Sequence, residues 1–232
     1  MSGQTVTIKG KDGEFTGYLA RPGTGRGPGI VVIQEIFGIN AVMRDIADSL
    51  ASQGFFAFAP DLFWRLEPNV ELTDKTEADW KKAFDLMNRF NADKGVEDIQ
   101  AGIDYLRTLP GCTGKVGALG YCLGGQLAYL AAARTNSNAA VGYYGVNIQN
   151  RRGEAGNIKH PLMLHIAEAD EYVPPEAQAK IEAGLKHNPH VTLYRYPLMN
   201  HAFARVGGAH YDKANADFAN SRTDTFFRQH LS

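Results

Sequence analysis

The run Gly120-Tyr121-Cys122-Leu123-Gly124 sets a thiol among small residues, directly after the apolar stretch Val116 to Leu119 and at the head of a helical one. A nucleophile on a tight strand-to-helix turn needs that setting. Flanking glycines let the chain bend, and the strained backbone lifts the reactive atom above the sheet. The helix behind it turns its positive end toward the sulfur, which favours the thiolate. It also leaves the N–H of Leu123 free to face a developing oxyanion. The chemistry these residues could do is attack on a carbonyl carbon. The competing reading is a structural cysteine that happens to lie between glycines. Cys112, the other cysteine, sits in Pro110-Gly111-Cys112-Thr113-Gly114, where nothing presents it as a nucleophile.

A thiol of ordinary pKa, about 8.5, is mostly protonated at neutral pH, so a base must act with it. In α/β hydrolases the nucleophile comes first, an acid follows a later strand and a histidine lies near the C-terminus. Here Leu162 to Ile166 is followed by Ala167-Glu168-Ala169-Asp170, and Tyr194-Arg195-Tyr196 by Pro197-Leu198-Met199-Asn200-His201. Asp170 and His201 occupy those places, with Glu168 as a rival acid. His165 lies inside a strand and reads as a hydrogen-bonded core residue, whereas His187, His190, His210 and His230 read as surface positions. Gln34-Glu35-Ile36-Phe37-Gly38 follows the first buried strand, where the second oxyanion donor is expected; Ile36 N–H is the candidate. Glu35 falls at the same strand end, either as a surface carboxylate or as a partner for the thiol.

The elements that must position these residues follow from periodicity. Thr5 to Lys9 and Glu14 to Ala20 alternate like a hairpin about Lys11-Asp12-Gly13. Continuous apolar runs, Ile30 to Ile33, Phe55 to Ala59, Val116 to Leu119, Ala139 to Tyr144 and Leu162 to Ile166, suit strands covered on both faces. His190 to Tyr196 adds a last strand. Met43, Ile46, Ala47 and Leu50 share a helical face, as do Val96, Ile99, Ile103 and Leu106. Trp80, Ala83, Phe84 and Met87 form another such stripe, read as core packing. Leu123 to Arg134, Pro175 to Lys186 and Tyr211 to His230 complete the helices, and Arg21 to Pro28 reads as a surface loop. Strand and helix in alternation imply a mostly parallel sheet with helices on both faces, in one α/β domain over residues 1–232. In such folds ligands sit at the carboxyl ends of the strands.

Composition narrows the classes. A balance of 24 basic against 25 acidic residues, with no long block of either sign, gives no case for nucleic acid or an anionic membrane. The longest apolar runs fall far short of the ~20 residues of a membrane helix. Met1-Ser2-Gly3-Gln4-Thr5 lacks the pattern of a secretory signal, so a cytoplasmic location is expected. Two cysteines make a disulfide framework unexpected. No His-x-x-x-His or Cys-x-x-Cys pair suggests a metal, and no cofactor is expected.

Taken together, Gln34-Glu35-Ile36-Phe37-Gly38-Ile39-Asn40, Pro60-Asp61-Leu62, Gly120-Tyr121-Cys122-Leu123-Gly124-Gly125, Val141-Gly142-Tyr143-Tyr144-Gly145 and His201-Ala202-Phe203-Ala204-Arg205 resemble the dienelactone hydrolase family, the carboxymethylenebutenolidases of aromatic degradation. The resemblance runs almost end to end. It implies an α/β-hydrolase fold with an eight-stranded sheet and a Cys122-His201-Asp170 triad. It further implies that Glu35 contacts the resting thiol, that Ile36 and Leu123 donate the oxyanion hydrogen bonds, and that Arg205 holds a substrate carboxylate. Phe37 and Tyr144 would line the pocket. Family enzymes acting on dienelactone carry a second arginine where Trp80 stands, and a serine where Ala202 stands, which implies a weaker anion clamp and makes Trp80 a substrate-contact candidate. The implied partner is a small ester or lactone, taken by a monomer, with an oligomer left open. Two alternatives accompany this reading: a general carboxylesterase or thioesterase with the same triad, and a non-catalytic ligand-binding or redox-sensing protein.

Overall fold

The computed structural model describes residues 3–232; Met1 and Ser2, part of the N-terminal reading, lie outside it. Eight strands form one sheet in the order β1-β2-β4-β3-β5-β6-β7-β8. They are β1 (Gln4–Lys9), β2 (Glu14–Ala20), β3 (Gly27–Ile33), β4 (Phe56–Pro60), β5 (Cys112–Tyr121), β6 (Ala139–Tyr143), β7 (Leu162–Ala167) and β8 (Val191–Tyr196). β1 and β2 form the expected hairpin, β2 runs antiparallel to β4, and the remaining pairs are parallel. The mostly parallel eight-stranded sheet is therefore as expected. Most boundaries shift by one or two residues, and two differ by more. Gly27 and Pro28 belong to β3 rather than to the preceding loop, and Cys112 opens β5, because Gly27 pairs with Cys112 across a register shift that ends at Gly29.

The helices are α1 (Ala41–Ser52), α2 (Glu77–Arg89), α3 (Ala92–Thr108), α4 (Leu123–Arg134), α5 (Pro175–Leu185) and α6 (Lys213–Leu231). They cover both faces of the sheet. Gly29 of β3 lies beneath Leu106 of α3, while Gly117 of β5 lies beneath Phe227 of α6. Gly29 pairs with Val116 and Ile30 with Gly117, so the two glycines point to opposite faces. The apolar runs are sealed between these layers: Ile30, Val31, Val32 and Ile33 are wholly buried, as are Phe58, Val116 and Val141. Each such side chain contributes roughly 1.5–3 kcal/mol relative to exposure. Among the described residues no helix is long and apolar enough to cross a membrane.

Side chains cap four of the helices. Asn40 accepts from Met43 N at 3.2 Å, Thr76 from Asp79 N at 3.1 Å, Asn91 from Asp93 N at 3.0 Å and Asp212 from Asn215 N at 2.9 Å. α4 has no such cap; its N-cap residue is Cys122, whose side chain bonds to no helix N–H. α5, behind Pro174, lacks one too; at α4 the gap stands where the sheet delivers its central strand, and it leaves the positive end of the helix turned to whatever occupies that place.

Candidate active site

Cys122 occupies the turn between β5 and α4 at φ 56° and ψ −116°, a conformation that costs a non-glycine residue about 1–3 kcal/mol. The surroundings hold it there. Its N–H donates to Tyr143 O at 3.1 Å, and its carbonyl accepts from Val146 N at 3.3 Å. A Cβ on Gly120 would lie 1.9 Å from Gly124 O, and one on Gly124 would lie 2.3 Å from Ile33 O. Both glycines are thus required by the close approach of backbone to backbone around the thiol.

His201 and Asp170 arrive on loops after β8 and β7, and the two loops are tied together. Ala169 N donates to Met199 O at 2.8 Å. Asn200 Oδ1 accepts from Glu171 N at 3.1 Å and from His201 N at 2.6 Å. The imidazole Nδ1 stands 2.9 Å from Asp170 Oδ2. Asp170 Oδ1 is in turn fixed by the N–H groups of Tyr172, at 2.8 Å, and Val173, at 3.1 Å. His201 Nε2 is buried without a hydrogen-bond partner. Burial opposes charge on this imidazole, but the negative charge of the nearby Cys122 sulfur and the Asp170 hydrogen bond outweigh it and lift its pKa to about 10. The rival acid, Glu168, instead pairs with Arg195 at 2.6 Å on the surface. His165 is buried between the Tyr196 hydroxyl, 2.8 Å from Nδ1, and Thr223 Oγ1, 3.0 Å from Nε2.

Ile36 follows β3 beside the same turn, and among the described residues no acceptor is found for its N–H or for that of Leu123. Glu35 is buried, and its Oε2 accepts from Arg205 at 3.2 Å. Burial raises its pKa, against the pull of Arg205. The resemblance implies a contact between Glu35 and the resting thiol; among the described residues no hydrogen bond joins them. The carboxylate takes the charged guanidinium instead, the stronger partner.

Cys122, His201 and Glu35 open into one cleft of about 250 Å³, lined also by Ile36, Phe37, Trp80 and Arg205. Tyr144 does not line it. It is 2% exposed, at φ 38°, with its ring 5.1 Å from the imidazole and edge-on to it.

Phe84, Met87 and Tyr172 line the cleft without having been assigned to it from the sequence. The stripe Trp80-Ala83-Phe84-Met87 is split: Ala83 is buried in the core with Leu86, while Trp80, Phe84 and Met87 form a wall of the cleft. A helix lying beside a cleft shows the same period as one lying on a core, so spacing does not separate the two uses. Tyr172 carries a readable signal, being two residues beyond Asp170. Its ring meets the imidazole edge-on at 4.9 Å.

The family model of the dienelactone hydrolase family matches residues 15–231. A relative in Azospirillum brasilense, provisionally named a carboxymethylenebutenolidase, is 50% identical over 226 residues, covering 96% of each chain. The carboxymethylenebutenolidase of Pseudomonas putida is 38% identical over 218 residues, covering 94% of this chain and 92% of its own. In fold, the chain superposes on a crystal structure from Klebsiella pneumoniae subsp. pneumoniae, provisionally described as a dienelactone hydrolase, with a TM-score of 0.86 at 24% identity over 98% of both chains. The chain thus belongs to the dienelactone hydrolase family and is a hydrolase acting on a lactone or ester.

Proposed function

We propose that the chain cleaves a small lactone or ester of the dienelactone type through a covalent acyl-enzyme on Cys122, with His201 as base and acid and Asp170 orienting it. One observation carries the reading: the strained Cys122 turn shares a cleft with an imidazole whose Nδ1 is held by Asp170 and whose Nε2 has no hydrogen-bond partner among the described residues. An imidazole so arranged keeps one nitrogen fixed and the other available for proton transfer.

The Cys122 thiolate forms a bond to the acyl carbon, and the carbonyl electrons move onto its oxygen, where the N–H groups of Ile36 and Leu123 receive the charge. Collapse breaks the ester C–O bond. The leaving alkoxide or enolate takes the proton that His201 holds at Nε2. Water then enters, gives a proton to the neutral imidazole and attacks the thioester; its collapse releases the acid and restores the thiolate. Glu35, with Oε1 buried and unpartnered, is the nearby acceptor that would assist thiol ionisation once its pairing with Arg205 loosens.

Cys122→Ala, assayed on 4-nitrophenyl acetate and a dienelactone, tests the reading. Expected is a loss of at least about 10³-fold in kcat on both, together with loss of the Cys122 acyl adduct that mass spectrometry detects in the native protein. Rates near wild type on both substrates would remove Cys122 from the chemistry.

A further inference from the structure

A second cavity, of about 550 Å³, lies between the outermost strand β8 and α6 and shares no lining residue with the catalytic cleft. Thr192 and Tyr194 of β8 face it together with Met163 of β7, which pairs with Thr192. α6 supplies Ser221, Arg222, Thr225 and Phe226, and His190 and His230 line it as well. Among the described residues no Asp or Glu lines this cavity: its polar groups are a guanidinium, imidazoles, hydroxyls and an amide.

Arg222, half-buried, is oriented there without being neutralised. Its guanidinium carbon stands 4.0 Å from the centre of the Tyr194 ring and 3.8 Å from that of Phe218, and its Nη1 donates to the Tyr196 hydroxyl at 3.1 Å. That hydroxyl is itself fixed, 2.8 Å from Nδ1 of the wholly buried His165. Acids of the same elements are engaged elsewhere. Asp224, two positions along α6, pairs with Arg228 at 2.9 Å, while Glu168 and Glu182 pair with Arg195, which alternates to the other face of β8. Among the described residues no carboxylate pairs with Arg222, and its Nε and Nη2 make no hydrogen bond while staying open to solvent.

We infer that this cavity binds a small organic carboxylate, whose oxygens take the open edge of Arg222 and whose apolar body lies on Met163 and Phe226. A guanidinium already oriented by two rings and a hydroxyl loses little freedom on forming a two-bond fork with a carboxylate. The hydroxyls of Thr192, Ser221 and Thr225 add donors to the same wall. Met163 and Phe226 offer nothing to an inorganic ion, so they favour an anion that carries a hydrocarbon part. The site is separate from the ester-cleaving chemistry and does not depend on it.

The imidazole NMR signals of His190 and His230, assigned with His190→Gln and His230→Gln, report occupancy of this cavity and not of the catalytic cleft, which contains neither residue. In the wild-type protein benzoate is expected to shift both signals saturably, with half-saturation below about 50 mM. Benzamide, of the same shape without the charge, is expected to leave them in place, and acetate and inorganic phosphate to need about tenfold higher concentration. Thr225→Asp changes an exposed residue one helical turn from Arg222 and sets a carboxylate beside it, so benzoate is expected to bind at least about tenfold more weakly. Arg222→Gln is expected to abolish the shift. The absence of a saturable benzoate shift in the wild-type protein overturns the inference, as does an equal response to benzamide. Acetate or phosphate acting at as low a concentration as benzoate removes the organic body from the recognition, and native affinity for benzoate in either variant removes Arg222; both results overturn the site as described.

Discussion

His201 Nδ1 lies 2.9 Å from Asp170 Oδ2, and the other Asp170 oxygen is occupied by the backbone N–H groups of Tyr172 and Val173. The carboxylate therefore serves two functions: it fixes the tautomer of the imidazole, and it holds the loop that brings Tyr172 against the same ring. Asp170→Asn separates them. The amide oxygen can still accept from the loop, but the amide nitrogen cannot accept from Nδ1–H and the charge is gone. Expected is a fall in kcat of about 10²–10⁴-fold with an unchanged far-UV circular dichroism spectrum. An Asn variant turning over esters at the native rate would take Asp170 out of the proposed mechanism.

The imidazole offers a second handle. Burial lowers its pKa, and Cys122 and Asp170 raise it more, to about 10 from an ordinary 6.5. A folded-state value above the unfolded one means the stabilisation is complete below pH 6.5 and is lost as pH rises through about 10. Because the charge on Cys122 is the largest of the raising causes, Cys122→Ala is expected to bring the His201 titration down markedly. Imidazole NMR signals followed from pH 5 to 11 report it directly. An unchanged titration in the variant would mean that the sulfur and the ring do not interact.

The strands were legible because their cause is local. A run such as Ile30 to Ile33, apolar at every position, can be buried on both faces only in the middle of a covered sheet, and it is. Cys122 was legible because the turn that strains it demands glycines at fixed offsets. Glu168 and Asp170 could not be separated from spacing alone, since both follow the same strand; Arg195, which pairs with Ile166 across β7 and β8 and reaches the Glu168 carboxylate at 2.6 Å, decides it. The pairing of Asp74 with Arg205, 3.6 Å apart, had no sequence signal at all, because it joins residues 131 positions apart. Tyr144 was assigned to the pocket from resemblance, and its ring is buried against His201.

His165 supplies a prediction remote from the chemistry. It is wholly buried, its Nδ1 faces the Tyr196 hydroxyl and its Nε2 faces Thr223 Oγ1, which also bonds the Tyr143 hydroxyl. Among the described residues no carboxylate hydrogen-bonds to the ring. Burial, aided by the nearby charge of Arg222, depresses its pKa to about 3 from 6.5. The sign is opposite to that of His201: the unfolded chain takes up a proton near pH 6.5 that the native state refuses until about pH 3, so stability falls as pH falls through this window. One such proton changes the unfolding free energy by about 1.4 kcal/mol per pH unit. Urea titrations between pH 7 and pH 4 are expected to show that slope above whatever the carboxylates add, and His165→Asn is expected to remove it even if the variant is less stable throughout. Equal pH slopes in the two proteins would mean that His165 is protonated as readily in the native state as in the unfolded chain.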